Sequence, residues 1–450
     1  MNSRCYLVVV STWLLALSPA LGGPTGAEFW PQWRGPLGTG AAPAADPPVT
    51  WNETNHVRWK TRLPGSGSAT PIVWGDRVFI LTAIPTGKKV ERKMPDEKAK
   101  AEPAATQKGG GPPRPETPNE IYQFVVICYD RNTGKSLWQK IARDEPPHEG
   151  HHENHGFASA SPVTDGQYVF AYFGSRGLHC YDFDGNLKWS KDFGKMETKN
   201  GFGEAASPAL SGDKIIINWD HEGPDFITAL DKHTGKELWR TPRDEHTGWS
   251  TPLVVEYNGK RQVVVNATEK VRSYDLESGK ELWSCSGQTI NAIPSPVADA
   301  DTVYVTSGFR GNALYAFALG RTGDLTGTDA IRWMHNKSTP YVPSPLLVDN
   351  VFYMLANNDA KLTCLDAKTG TVNFETERLE GLFSVYASPV AAKGRVYVLG
   401  REGTCVVLKK GPKLEVLATN KLDDKTDASL ALAGKALFVR GQEYLYCIGE

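Results

Sequence analysis

A chain of 450 residues with 40% apolar and 22% charged residues is long enough to bury a large core. Its formal net charge of −1 gives no general electrostatic reason to expect a nucleic acid or an anionic membrane surface as partner. Beyond residue 23 no stretch is apolar for the length a bilayer span requires, so no transmembrane segment is expected.

In chain order, Asn2-Ser3-Arg4 precede an apolar run from Tyr6 to Leu17, and the small residues Ala20-Leu21-Gly22-Gly23 follow. This pattern predicts a signal peptide over residues 1–23 and a periplasmic or extracellular protein; no Cys stands where a lipid anchor would need one. Residues 24–48 read as an N-terminal tail, with Phe29-Trp30-Pro31-Gln32-Trp33-Arg34-Gly35-Pro36 packing it onto the domain that follows. Val57-Arg58-Trp59-Lys60-Thr61 is a strand without a hairpin of its own.

From there a repeat governs the chain. A Ser-Pro or Thr-Pro step opens a short β-branched run at Pro71, Pro162, Pro208, Pro252, Pro296, Pro345 and Pro389, and after the first interval the spacing is 44 to 49 residues. Each run is followed by a hairpin, a third strand, an Asp-x-x-x-Gly turn and an outer strand carrying an aromatic residue. Blade three is the clearest copy: Ala206–Leu210, Lys214–Asn218, Phe226–Asp231 and Glu237–Trp239. Trp138, Trp189, Trp239, Trp283, Trp333 and Phe374 mark the outer strands, with Leu417 expected in that place in the seventh unit. A period of this length with four strands per unit predicts an all-β propeller of four-stranded antiparallel blades.

An eighth unit starts at Ala428-Ser429-Leu430 and ends on a third strand, Tyr444–Ile448, without an outer one. The strand around Trp59 is therefore expected to complete the last blade and close a single eight-bladed domain over residues 49–450. Seven blades remain the alternative if the last hairpin is only a cap. One stretch, residues 85–120, is rich in Lys, Glu, Pro and Gly and reads as a disordered insertion in blade one. Cys128, Cys180, Cys364 and Cys447 recur at one position of the third strand. Packed sheets lie about 10 Å apart, beyond the reach of about 7 Å for a disulfide, so these are expected to be small buried residues.

The first-to-second and third-to-fourth turns are short and interchangeable, so the opposite face, with its unlike loops, is the expected site of function. It gathers Arg176, Asn200, Glu204, Trp219, Asp220, His221, Glu222, His246, Trp249, Asn291, Arg310, Tyr341, Asn357 and Arg401 around the channel mouth. Four of the ten histidines, His148, His151, His152 and His155, fall in one loop with Glu149 and Glu153. They either hold a transition metal or form a solvated loop bonded to the rim; no closed zinc spacing is present. Arg176 and Arg310 share a Gly-x-Arg-Gly turn that presents a guanidinium to an anionic ligand or bonds carbonyls of the next blade. Trp219 and Trp249 stack on a planar ligand or cap their blade.

The unit running from Leu230-Asp231 to Trp239, nearly repeated from Tyr274-Asp275 to Trp283, resembles the repeat of the pyrroloquinoline-quinone (PQQ)-like propeller superfamily over nearly the whole mature chain. Trp30-Pro31-Gln32-Trp33-Arg34-Gly35-Pro36 and the histidine loop further resemble exported PQQ-like repeat proteins of planctomycete-type bacteria. The superfamily contains quinoprotein dehydrogenases and BamB-like scaffolds. For a dehydrogenase the resemblance implies PQQ, a calcium held by Glu and Asn, an Asp base, and in alcohol dehydrogenases a disulfide between adjacent cysteines. No adjacent cysteines exist here; Asp220 or Glu222 would be the base, and Glu204 or Asn200 the calcium ligands. The expectation is a monomeric, non-enzymatic binding propeller, BamB-like and without a required cofactor, that takes a protein or small molecule at the loop face. A PQQ- and calcium-dependent alcohol or aldose dehydrogenase, or a metal-binding propeller, is the alternative.

Overall fold

The computed structural model describes residues 26–91 and 114–450; the expected signal peptide lies outside them. Eight sheets, each with four antiparallel strands, surround a central channel, and in seven of them the strands follow chain order from the axis outward. Blade three consists of Ala209–Ser211, Lys214–Trp219, Phe226–Asp231 and Glu237–Pro242. Blade four alone adds a fifth strand, Gly323–Asp324, parallel to Glu281–Ser286. The last blade joins both ends of the chain: Ala431–Ala433, Ala436–Arg440 and Tyr444–Gly449 are completed by Val57–Arg62, with Trp59 opposite Cys447. The ring has eight blades, and no sheet is left without its outer strand.

A single pairing explains why the turn glycine and the outer tryptophan occur together. The indole N–H of Trp59, Trp138, Trp189, Trp239 and Trp333 donates to a carbonyl in or beside the third-to-fourth turn of the following blade: Arg131, Phe183, Lys232, Leu276 and Ala367 respectively. The glycines of those turns, Gly134, Gly185, Gly235, Gly279 and Gly370, have φ between +69° and +80°. A Cβ on any of them would meet the docked indole at 2.4–2.8 Å. Glycine is thus required twice, for a left-handed backbone and for contact with the ring.

Facing each tryptophan across its own blade is a small residue: Cys128, Cys180, Ala229, Ser273, Ala316 and Cys447. Cys364 takes the same place opposite Phe374. Burial raises the thiols of Cys128 and Cys180 to about 12, and all six cysteines among the described residues are buried and unpaired. In blade seven the partner of Val407 is Ala418, and Leu417 projects outward in the bulge. The expected aromatic place therefore belongs to Ala418, and the wider Val407 opposite compensates for the missing ring.

Two other boundaries differ from expectation. Blade one's second strand runs on to Lys89 and pairs with Tyr122–Asp130 and Glu120, so the ladder extends into both ends of the stretch assigned to an insertion. The part over residues 92–113 lies outside the described residues. Trp219 belongs to a strand rather than to a loop, opposite Phe226, and its ring is buried against that phenylalanine at 5.8 Å.

At the axis the Ser/Thr-Pro steps form a hydrogen-bonded ring. The backbone N–H before each proline donates to the hydroxyl at the matching step of the next blade, from Thr70 through Ser161, Ser207, Thr251, Ser295, Ser344 and Ser388 to Ser429, at 2.8–3.0 Å. The ring is open between blades eight and one, where Thr70 Oγ1 has no partner. Arg440 bridges that junction by donating to the carbonyls of Ala69 and Leu81.

Residues 29–46 cross the face formed by the first-to-second turns. Trp30 pairs with Val73 of blade one and the Pro31 carbonyl accepts from Thr164 of blade two; further on, Thr39, Gly40, Ala42 and Asp46 bond to blades six, seven and eight. Midway, Arg34 is buried and donates to the carbonyls of Pro345 and Pro389, at the inner strands of blades six and seven. The segment thus spans the channel and closes one end.

Candidate functional site

The closed end turns the channel into a blind cavity of about 1140 Å³ that opens on the face with unlike loops. Trp33 contributes to its wall from the crossing segment, together with Ser161, Ser207, Thr251 and Ser429 of the axial ring. Phe202, Trp249, Phe309, Tyr341, Tyr386, Ile290 and Ile293 supply apolar surface. Phe309 stacks on Tyr341 at 4.8 Å, and Trp249 is fixed by its indole N–H to the Gly203 carbonyl at 2.7 Å. Asn200, Asn291 and Arg310 reach this wall on left-handed backbone with φ of 54°, 57° and 53°. The Asn291 amide oxygen is buried and unpartnered. Arg310 is exposed with its guanidinium over Phe309 at 5.3 Å. Of the residues singled out from sequence, the cavity brings together His152, His155, Asn200, Glu222, Trp249, Asn291, Arg310 and Tyr341.

Others are structural. Arg176 is buried, with its guanidinium on His148 Nδ1 at 2.7 Å, on the Pro146 carbonyl and on Glu145, so the two Gly-x-Arg-Gly turns serve opposite purposes. Trp219 lies inside blade packing. His221 is held by the backbone N–H groups of Glu197 and Gly223 and by the Pro224 carbonyl. His246 is exposed and touches Glu222, whose carboxylate accepts from the Thr247 N–H and hydroxyl. Asn357 shapes the backbone beside Tyr341. Arg401 pairs with Asp427 and also donates to Asn154 at 2.7 Å, tying the histidine loop to blade seven. Asp220 forms a buried ion pair with Arg243, Nε to Oδ1 at 2.7 Å and Nη2 to Oδ2 at 3.1 Å, and accepts from Asn218.

The four loop histidines do not share a centre. His148 donates from Nε2 to the Met196 carbonyl at 2.6 Å while its Nδ1 accepts from Arg176. His151 donates to the His152 carbonyl and packs on Phe157; His152 packs on Phe202. His155 Nδ1 accepts from the Gly156 N–H at 2.8 Å. Among the described residues one group has metal-binding spacing, His148, Glu149 and Glu204, with candidate ligand atoms within 4.8 Å of one another. It lines a second cavity of about 30 Å³. Burial raises the Glu204 carboxyl to about 7, outweighing the Ser175 hydrogen bonds and the nearby Arg176. Burial raises Glu149 as well, against hydrogen bonds from Thr198.

His155 gives the site a pH signature. Burial, with the nearby His151 and His152, lowers it from 6.5 to about 3, so the fold holds it neutral. Below pH 6.5 the unfolded chain takes up a proton at this ring that the folded chain refuses; the contribution of His155 to stability therefore falls as pH drops from 6.5 towards 3. Because the ring is half-buried rather than sealed, the expected loss is on the order of 2 kcal/mol. Glu204 and Glu245, raised to about 7, pull the other way over the same range, so the check is the difference between the parent and His155→Asn in urea titrations, which should shift in the variant's favour by that amount between pH 6.5 and 3. An unchanged difference across that range would remove His155 as its source.

The crossing segment, Arg114, Lys199, Tyr386 and the hydroxyl ring were absent from the sequence-derived site. The Ser/Thr-Pro step was visible, but only as a mark of period.

Comparisons agree with this architecture. A family model described as outer membrane protein assembly factor BamB matches residues 123–376 and 225–449. No curated protein matches the chain. Among solved structures, BamB from Moraxella catarrhalis aligns with TM-score 0.53 and 14% identity, over 72% of this chain and 93% of that one. Quinohemoprotein alcohol dehydrogenase from Comamonas testosteroni aligns at 0.63 and 11%, over 94% and 81%. A europium-containing methanol dehydrogenase aligns at 0.59 and 11%, over 93% and 89%. At such identities the likeness is one of fold. The donors that PQQ with calcium would need do not converge in the large cavity: Glu222 is tied to Thr247, Asp427 to Arg401, and Asp220 to Arg243. The one three-donor group among the described residues lines the small cavity instead. The residues present do not fit that arrangement.

Proposed function

The chain belongs to the family of outer membrane protein assembly factor BamB, and from that premise we propose that it is an exported, non-enzymatic binding propeller. Its partner enters the blind cavity from the face bearing His148–His155. The observation that carries this reading is the cavity itself: about 1140 Å³, closed at one end by the protein's own Trp33–Arg34 segment and walled by aromatic rings and hydroxyls. An aromatic wall with a few fixed polar groups suits capture of side chains or small molecules. The acids that could act as bases are engaged in ion pairs or hydrogen bonds, which favours binding over catalysis. No helix among the described residues is long and apolar enough to cross a membrane.

The test uses two probes on the full chain. An unfolded outer-membrane β-barrel polypeptide should bind with micromolar affinity, at least ten-fold more weakly to a Phe309→Ala/Tyr341→Ala variant. Equal binding by that variant would remove the cavity as the site. PQQ with calcium should not quench tryptophan fluorescence to a stoichiometric endpoint; a saturable endpoint at micromolar concentration would overturn the non-enzymatic reading.

A further inference from the structure

The small cavity lies between blades two and three, under the histidine loop, sharing Ser159, Thr198 and Ala205 with the wall of the large one. Its volume of about 30 Å³ holds one water or one ion, not an organic ligand. Glu149 reaches it from the loop and Glu204 from the connection into blade three. Two buried oxygens in its wall have no partner: the Tyr172 hydroxyl and Asn218 Oδ1, on side chains each 2% exposed. The Asn218 amide nitrogen donates to Asp220 at 2.9 Å, which fixes the direction of the flip and leaves the oxygen as the open acceptor. An orphaned buried oxygen is costly, so two in one cavity wall with two carboxylates, Tyr172 feeling the charge of Glu204, need an explanation.

We propose that Glu149, Glu204, Asn218 and Tyr172 form a site for a single divalent hard cation of the calcium type. Every free donor is an oxygen, the preference of such ions. His148 stays outside the ligand set, because one ring nitrogen faces Arg176 and the other the Met196 carbonyl; the site therefore discriminates against imidazole-seeking transition metals. The charges agree. Glu145, Glu149 and Glu204 surround one buried cation, Arg176; of the other nearby cations, Arg114 is exposed and 3.6 Å from Glu149, and Arg143 pairs with Asp192 at 2.6 Å. The carboxylates keep their present donors, Thr198 on Glu149 and Ser175 on Glu204, with lone pairs to spare. A bound ion would link the histidine loop to blade three and steady one side of the large cavity's mouth. This site is independent of what the large cavity binds.

The experiment is calorimetric titration of chelator-treated full-length protein with CaCl₂, alongside thermal unfolding with and without the salt. One ion per chain, a dissociation constant of about 100 µM or tighter, and a raised Tm are expected. Glu149→Gln/Glu204→Gln, nearly isosteric, should retain the metal-free Tm and lose at least a hundred-fold in affinity. If that variant unfolds, Asn218→Ser serves instead, with a ten-fold loss expected. No binding heat and no shift in Tm up to 10 mM Ca²⁺ would overturn the site, as would unchanged affinity in a folded variant.

Discussion

Asp220→Ala should destabilise the protein by about 3–5 kcal/mol, the cost of leaving a buried charge without its partner. The side chains of Asp220 and Arg243 are both 0% exposed, and two hydrogen bonds join them. Burial opposes the charge on Arg243, but Asp220, then Tyr274 and Glu245, hold the guanidinium firmly protonated. Once Asp220 is gone, the nearest carboxylate is Glu245 at 3.6 Å, itself raised by burial to about 7. Urea denaturation measures the loss directly. Asp220→Ala with Arg243→Met should recover most of it, because an apolar pair of similar volume costs little. A single variant as stable as the parent would show that the ion pair is not the role of Asp220 and would restore it as a candidate base. The sequence placed Asp220 among possible catalytic acids; a loss of function in Asp220→Ala would have been misread as chemistry.

Trp59→Ala comes next, with an expected cost of about 4 kcal/mol from the lost burial of a tryptophan side chain. Its indole N–H donates to Arg131, its ring covers Gly134 and packs near Phe438 at 6.1 Å, and Thr61 beside it donates to the Gly134 carbonyl. These contacts join blade eight to blade one and hold the strand from the N-terminal part of the chain. Hydrogen exchange should therefore show the amides of Val57–Arg62 opening early in the variant, ahead of the other outer strands. Trp239→Ala, with the same docking inside the ring, should lose similar stability without that early opening. A midpoint unchanged in Trp59→Ala would mean that the closing strand is held by its backbone ladder alone.

The architecture was legible because its two most distinctive residues are coupled: the turn glycine exists to receive the indole of the preceding blade, so both recur with one period. Where the coupling lapses, counting fails. Leu417 was assigned to the aromatic place because no tryptophan marked the register, and a bulge moved the true position to Ala418. Arg176 and Arg310 show why site residues were harder. Their local sequences match, yet one is enclosed by His148, 28 residues away, and the other stands on a Phe309–Tyr341 stack. Trp33 offered no local sign that it would line a cavity, because that depends on Arg34 meeting Pro345 and Pro389 more than 300 residues later.

That distance has a consequence for how the protein comes into being. A ribosome delivers residues 29–46 before any blade exists, and their anchors at Leu347, Ala391 and Gly434 arrive last. The channel floor is a contact of very high sequence separation, which forms late in folding. A chain without its last blade would have neither a closed ring nor a floor, whereas the closed ring holds a cup, so competence to capture a partner waits on the making of blade eight.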